Sequence, residues 1–176
     1  VIGAGPAGSA AAMGLLRYDD IDVVMFERYA LPRQKVCGSG LSPWTLTLLD
    51  EMGVGEMVRE HAYRIDGARI AGSDGEGVVL RGDHETAILL REEFDYLLAQ
   101  EAARRGADLR DGVMVKEIVR DGDGQVEGIR TSDDDLGFDY RRLYFDTERG
   151  PLWRRAWNIF GERYRGRNPV VLPFYN

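Results

Sequence analysis

Glycines near the start of the chain have the spacing of a phosphate-binding turn. Gly3, Gly5 and Gly8 form a G-x-G-x-x-G pattern between the apolar pair Val1-Ile2 and a run of small residues. In such a turn the first glycine permits a tight bend, the second lets the backbone approach a pyrophosphate, and the third lets helix and strand pack closely. The following helix presents free N–H groups and its positive dipole end to the phosphates. The pattern predicts a nucleotide site at the N-terminus of the first helix.

An acidic residue follows at the distance expected for a ribose contact. Residues 22–26 are mostly apolar and predict a strand, which Glu27 ends nineteen residues after Gly8. At this point of a strand–helix–strand unit, a carboxylate accepts hydrogen bonds from an adenosine ribose and disfavours a 2′-phosphate. The pattern therefore indicates FAD or NAD, and the alternative is a glycine-rich turn that binds no dinucleotide.

The composition excludes several classes of protein. Of the 176 residues, 44% are hydrophobic and 30% are charged, which is typical of a globular domain and not of a disordered chain. The net charge of −7 disfavours nucleic acid as a partner. The single cysteine, Cys37, excludes an intrachain disulfide framework and a thiolate-rich metal site. Because His61 and His84 also lack metal-ligand spacing, we predict no metal.

Neither a membrane-spanning segment nor a signal peptide is evident in the sequence. No run of eighteen apolar residues occurs, so the expected location is the cytoplasm. Only Val1-Ile2 precede the glycine turn, whereas strands usually run to about five or six residues, and no initiator methionine is present. We therefore expect an incomplete chain that begins inside its first strand.

Local signals predict the order of helices and strands. Ser42 and Pro43 begin a helix as N-cap and first helical residue, and Gly53 ends it. Apolar spacing over residues 91–105 predicts another helix, stopped by Gly106. Strands are expected at residues 65–71, 77–80, 87–90, 107–110, 113–119 and 125–131, the last two joined by Asp-Gly pairs in a hairpin.

Residues 132–176 stay unassigned by these signals. The acidic stretch 132–135 predicts a solvated turn. Farther on, an arginine-rich segment carries aromatic residues at spacings of four, three and four, which predicts one face of a basic helix near residues 151–165. Such a face would either lie on an anionic membrane surface or pack in a protein core. The aromatic residues are Trp153, Trp157, Phe160 and Tyr164.

A cysteine-containing loop is the most specific feature of the sequence. Residues 35–43 read KVCGSGLSP and follow the pair Glu27-Arg28, and residues 91–98 read REEFDYLL. Together with the opening GAGPAGSA, these segments resemble the geranylgeranyl reductase family of FAD-dependent oxidoreductases. That family belongs to the para-hydroxybenzoate hydroxylase-like group of flavoproteins. The resemblance covers residues 1–131.

The resemblance implies an α/β fold with a Rossmann-like FAD-binding domain of the GR2 type and a β-hairpin crossover. That domain would comprise residues 1–60 and 91–131, and residues 61–90 would be part of an inserted, strand-rich substrate domain. Two later FAD-binding elements of the family, an A-D-G motif and a G-D motif, are not found where the family has them. We therefore expect that the chain alone does not form a complete flavin site.

The resemblance also implies roles for individual residues. Cys37 is the implied catalytic residue, facing the flavin–substrate pocket to shape it or relay a proton; the alternative is a small hydrophobic residue without a reactive role. Arg91 could instead form an ion pair within its own helix. The residues implied in FAD binding are Gly3, Gly5, Ala7 and Gly8 at the pyrophosphate, Glu27 at the ribose with Arg28 beside it, Gly38, Ser39 and Gly40 beside the isoalloxazine ring, Arg91 on the flavin side and Val115 at the adenine.

The implied activity of the intact protein is reduction of C=C bonds in a polyprenyl (geranylgeranyl) chain of a lipid or pigment precursor. Bound FAD would be reduced by NAD(P)H or another reductant, and the enzyme would have peripheral contact with a membrane. One alternative is an FAD-dependent monooxygenase acting on an aromatic or quinone precursor. Others are a noncatalytic fragment and an NAD-dependent Rossmann enzyme, the last disfavoured by the hairpin.

Overall fold

The computed structural model describes residues 1–73, 75–124, 126–132 and 135–137. They form two compact units, one of Val1–Arg33 with the described residues from Asp95 onward, and the other of Gln34–Phe94. In chain order the helices are α1 (Pro6–Leu15), α2 (Pro43–Glu51), α3 (Gly55–His61) and α4 (Arg91–Arg104). The strands are β1 (Val24–Glu27), β2 (Gly40–Leu41), β3 (Tyr63–Ala71), β4 (Gly77–Ile88), β5 (Asp108–Asp111), β6 (Val115–Arg120), β7 (Val126–Thr131) and β8 (Asp135–Gly137).

Parallel pairing forms the centre of the first unit. Strand β1 pairs in parallel with β5, in a register that begins with Val24 beside Asp108. On its other edge β1 receives the chain start through a parallel bridge between Ile2 and Phe26. Strand β1 therefore lies between β5 and the chain start, and all three run in parallel. This order confirms the predicted Rossmann-like α/β arrangement.

Helix α1 is buried along nearly its whole length because it is built from small residues. Ala10, Ala11 and Ala12 are fully buried, as is Ser9. Gly8 is required in the first turn, since a Cβ atom there would overlap the carbonyl oxygen of Gly3. The helix can therefore lie close against the strand end only with glycine at this position.

Helix α4 carries an acid on its buried face. Leu98, Ala99 and Ala102 are buried on this face, and Asp95 lies at helical spacing from them and is 0% exposed. Gly106 follows the helix with φ of 118°, in the region that favours glycine, and so ends it as predicted.

The second unit contains a three-stranded antiparallel sheet in the order β2-β4-β3. The sequence predicts three short strands in this segment, but residues 77–80 and 87–88 belong to one strand, β4, and Leu89-Leu90 lie outside it. The prediction of a turn at the polar residues 81–86 assumes that every strand buries one face. Because β3 is almost entirely exposed, its pairing with β4 does not require apolar alternation, and the prediction of a break was wrong.

Helix α2 begins and ends where its capping residues predict. The backbone N–H of Thr45 donates to the Ser42 hydroxyl at 3.2 Å, and Pro43 occupies the first helical position. After the helix, Gly53 has φ of 69°. The apolar face predicted for this helix is buried at Leu46, Leu48, Leu49 and Met52.

A hairpin of β6 and β7 follows the third parallel strand, as predicted. In its turn Gly124 has φ of 79°, which accounts for the glycine there. The predicted turn at residues 132–135 is wrong at Asp135, since β8 begins there and pairs antiparallel with β7, with Asp135 beside Arg130. An acidic composition does not prevent a strand whose pairing is made by the backbone.

The predicted aromatic helix near residues 151–165 lies outside the described residues. None of the helices in the described part of the chain has the length and hydropathy of a membrane span. The predicted domain boundaries, including the substrate-domain segment 61–90, stay predictions.

Gly8→Ala should destabilise the protein by about 3 kcal/mol, because the added methyl group forces α1 away from the Gly3 carbonyl. Urea unfolding followed by circular dichroism measures the change. The matched control is Gly122→Ala, where a Cβ would meet no atom within 4 Å and stability should hardly change. Equal unfolding midpoints for the two variants would contradict the close approach.

Candidate functional site: a nucleotide turn and a cysteine loop

The glycine turn is held against β1 by backbone hydrogen bonds. The N–H of Gly3 donates to the Phe26 carbonyl at 2.7 Å, and the Phe26 N–H donates to the Val1 carbonyl at 2.9 Å. Gly3 has φ of 95°, so the bend requires a residue that tolerates this conformation. The turn therefore leaves the strand end and enters α1 along a fixed path.

The N-terminus of α1 suits an anionic ligand. Gly5 is the N-cap residue, and no side chain caps the helix in the described part of the chain. Pro6 occupies the first helical position, and the first turn contains no acidic residue that would repel a phosphate. Helix N–H groups without side-chain caps, next to a glycine turn, fit a pyrophosphate.

Glu27 lies beside this turn and is buried, with 4% of its surface exposed. Its Oε2 accepts a hydrogen bond from the Ala4 N–H at 3.0 Å, and its Oε1 accepts one from the Tyr29 N–H at 3.3 Å. A carboxylate has about four acceptor positions, so both oxygens retain capacity for ligand hydroxyl groups. The structure thus brings the predicted ribose carboxylate to the predicted pyrophosphate turn.

Two further residues complete a buried charged cluster that sequence reasoning missed. Arg33 places Nε 3.5 Å from Glu27 Oε1 and an Nη atom 3.3 Å from Asp95 Oδ2. We name these three residues the acid–arginine–acid cluster. A usable signal was present in the sequence, since Asp95 is an acid at helical spacing from the apolar residues of α4.

The cysteine loop is open in the second unit. Cys37 is exposed. Shortly after it in the chain, Gly40 and Leu41 form β2 and pair with β4. Neither Gly38 nor Gly40 has positive φ, and a Cβ at either position would meet no atom within 4 Å. Nothing in the described chain therefore requires glycine at these two positions, and they leave room for a ligand.

Ser39 is the strained residue of this loop. Its φ is 57°, in the region that favours glycine, and it is largely buried. Glycine would adopt this conformation more easily. The Ser39 carbonyl accepts a hydrogen bond from the Leu89 N–H at 3.0 Å, which fixes the loop to the strand region after β4.

Cys37 and Arg91, predicted separately, lie together in this unit. The pKa of the Cys37 thiol is lowered, first by the Ser39 N–H and then by a hydrogen bond from the Arg91 side chain. The Ser39 nitrogen lies 3.5 Å from the sulfur. Both donors favour the thiolate, so this cysteine is more than a small buried apolar residue.

The remaining predicted site residues lie in the first unit. Ala7 is half-buried in the first turn of α1, and Arg28 is exposed with its guanidinium 4.7 Å from the centre of the Tyr29 ring. Val115 is half-buried at the start of β6, two residues after the Val113 N–H that donates to the Glu27 carbonyl. Their contacts with FAD stay predictions.

Within the described ranges, no group of three or more histidine, cysteine or acidic residues is placed to hold a metal ion.

Two curated proteins illustrate the relatives of this sequence. Menaquinone reductase from Mycolicibacterium smegmatis is 31% identical over 179 residues, which cover 94% of this chain and 42% of that protein. Digeranylgeranylglycerophospholipid reductase from Methanothrix thermoacetophila is 32% identical over 139 residues, which cover 74% of this chain and 33% of that protein. The chain therefore spans about two fifths or less of the length of these relatives. The first alignment extends past residue 131, where the predicted resemblance ends.

A solved structure shares the fold. The geranylgeranyl bacteriochlorophyll reductase-like protein from Thermoplasma acidophilum superposes with a TM-score of 0.66 at 26% sequence identity. The match covers 80% of this chain and 36% of that chain. The predicted resemblance to geranylgeranyl reductases is thereby confirmed.

Alkylation of Cys37 should report the influence of Arg91. The rate of reaction with iodoacetamide rises with pH as the thiol ionises. Because the pKa of the Cys37 thiol is lowered, the midpoint of this rise should lie at a lower pH than for an ordinary cysteine. Arg91→Met removes one stabilising donor, so the midpoint should move to higher pH and the rate at pH 7 should fall. Arg130→Met, which removes an exposed ion pair with Glu117, is the control and should leave the profile unchanged. An unchanged profile in Arg91→Met would refute the contact.

The model of one protein family, described as FAD binding domain, matches residues 1–140. The matched segment includes the glycine turn, Glu27 and the cysteine loop, and FAD is confirmed as the cofactor. The observed turn and helix N-terminus fit that cofactor's pyrophosphate. The chain belongs to the FAD-binding domain family.

Proposed function

We propose that the intact protein is an FAD-dependent oxidoreductase that reduces C=C bonds of a polyprenyl chain in a lipid or pigment precursor. The observation that carries the proposal is the cysteine loop, in which Gly38 and Gly40 have no steric reason to be glycine among the described residues. Glycine at such positions is explained if a planar ring or a substrate approaches the backbone closely. An NAD-dependent Rossmann enzyme gives no reason for this loop.

The names of the two relatives support the choice of substrate. Menaquinone and digeranylgeranylglycerophospholipid differ in their head groups but share an unsaturated polyprenyl chain. Since both proteins are reductases, the shared part of the two molecules is the better candidate for the reacting group. The proposed substrate class therefore includes prenylated quinones as well as prenyl lipids.

FAD, once bound and reduced by NAD(P)H or another reductant, would supply the hydride for one carbon of the alkene. The chain's own residues have other tasks. The turn from Gly3 to Gly8 would hold the pyrophosphate, Glu27 would accept hydrogen bonds from the ribose, and Arg91 would lie on the flavin side. In the net reaction the alkene gains a hydride and a proton, and the reduced flavin is oxidised.

Cys37 is the proposed source or relay of that proton. Its thiol is exposed in the loop, and Ser39 and Arg91 lower its pKa, so it releases a proton more readily than an ordinary cysteine. Arg91 would then stabilise the thiolate until it is reprotonated. A cytoplasmic location and peripheral membrane contact remain part of the proposal.

Turnover with reduced FAD under anaerobic conditions tests the reaction. Incubation with a menaquinone or a geranylgeranyl lipid should give a product heavier by two hydrogen atoms per turnover, detected by mass spectrometry, because no oxygen is needed. A product containing an added oxygen atom, formed only in air with NADPH consumption, would instead show the monooxygenase. FAD binding without any product from either class would favour a noncatalytic role for the fragment.

Cys37→Ala should lower the rate of alkene reduction by about tenfold or more while leaving FAD affinity nearly unchanged, because it removes a proton donor and not a cofactor contact. Flavin fluorescence measures affinity and product formation measures the rate. Cys37→Ser is the matched variant, since its hydroxyl keeps the size of the group but ionises far less readily. Equal turnover of the alanine variant and the wild type would remove Cys37 from the reaction.

A further inference from the structure

We infer that Arg33 is the positioning residue of the ribose site and that Asp95 anchors it. The inference deepens the proposed function and rests on FAD binding at the glycine turn. Arg33 would act through Glu27, whose carboxylate it holds in the orientation that receives the ribose hydroxyl groups. Neither Arg33 nor Asp95 is needed for the glycine pattern or for the pyrophosphate contacts.

Geometry places Arg33 between two acids from distant parts of the chain. Its Nε lies 3.5 Å from Glu27 Oε1, and its Nη2 lies 3.3 Å from Asp95 Oδ2. Glu27 ends β1, whereas Asp95 lies on α4. The arginine therefore connects the ribose carboxylate to Asp95, which belongs to the same compact unit.

Burial makes this pairing necessary and excludes a direct ligand role for Nε. The side chains of Arg33, Glu27 and Asp95 are 10%, 5% and 0% exposed. Charges buried to this extent are strongly disfavoured unless they are paired. The Nε atom is inaccessible and has no hydrogen-bond partner among the described residues, so it reaches a ligand only through the neighbouring carboxylate.

The hydrogen bonds to Glu27 show how its carboxylate is held. Backbone N–H groups of Ala4 and Tyr29 each bind one oxygen of Glu27 and set the distance of the carboxylate from the turn. Together they fix which oxygen faces the turn, but neither donor carries a formal charge. Arg33 adds a third point of attachment on the Oε1 side, which leaves the remaining acceptor positions for the hydroxyl groups of a ribose.

Competition between two nucleotides tests the inference. In this test ADP and 2′-deoxyADP each compete with FAD for the purified protein, and flavin fluorescence gives the affinity of each nucleotide. In the wild type the ratio of the two affinities should be about tenfold, the usual effect of one hydrogen bond to a charged group. In Arg33→Met the ratio should fall to about twofold or less, because Glu27 is no longer held. A purely structural role would weaken both nucleotides equally and leave the ratio unchanged.

Two more variants keep the test decisive. Asp95→Asn removes the anchor with almost no change of shape and should lower the ratio less than Arg33→Met does; it decides alone if Arg33→Met fails to fold. Arg130→Met, which removes an exposed arginine of β7, should retain the wild-type ratio. A wild-type ratio in both Arg33→Met and Asp95→Asn overturns the inference while FAD binding stands. Absence of FAD binding in the wild-type intact protein overturns the proposed function itself.

Discussion

The close contact between Gly8 and the Gly3 carbonyl is the constraint on which the nucleotide-binding unit depends. It allows α1 to begin directly beside the end of the first strand segment, where any side chain at residue 8 would overlap the backbone. Because the helix begins there, its N-terminus, which no side chain of the described residues caps, lies next to the end of β1, which carries Glu27. Because residue 8 has no side chain, the two groups that a dinucleotide needs lie close together. These are a cluster of N–H donors and a ribose acceptor.

The glycines of the cysteine loop differ in kind from Gly8. Gly8 is explained by the chain itself, whereas Gly38 and Gly40 have neither positive φ nor a close neighbour among the described residues. The strained residue between them, Ser39, shows that the loop does not simply place glycine where the backbone requires it. The open space around both glycines, next to Cys37, is compatible with the close approach of a ligand that the proposed function requires.

Local chemistry could be predicted from the sequence, whereas pairing over long distances could be predicted only where a known motif implies it, as for the parallel strands around the glycine turn. The glycine turn, the Ser42 cap and the Asp-Gly hairpin depend on residues a few positions apart, whose conformational preferences are intrinsic. The continuity of β4 depends on its partner β3, and the strand at Asp135 depends on β7, so neither is visible in the composition of the segment alone. The same holds for the contact between Arg33 and Asp95, which only the folded chain creates.

The acid–arginine–acid cluster shares one guanidinium between two buried acids. Backbone N–H groups donate to both oxygens of Glu27 and leave acceptor positions open on this carboxylate. A ligand hydroxyl group can fill such a position by donating a hydrogen bond, whereas a phosphate would bring negative charge close to a poorly solvated acid. Arg33 thus pairs with the buried acid and leaves open the positions that a ribose would use, which is why this site suits a ribose hydroxyl group better than a phosphate.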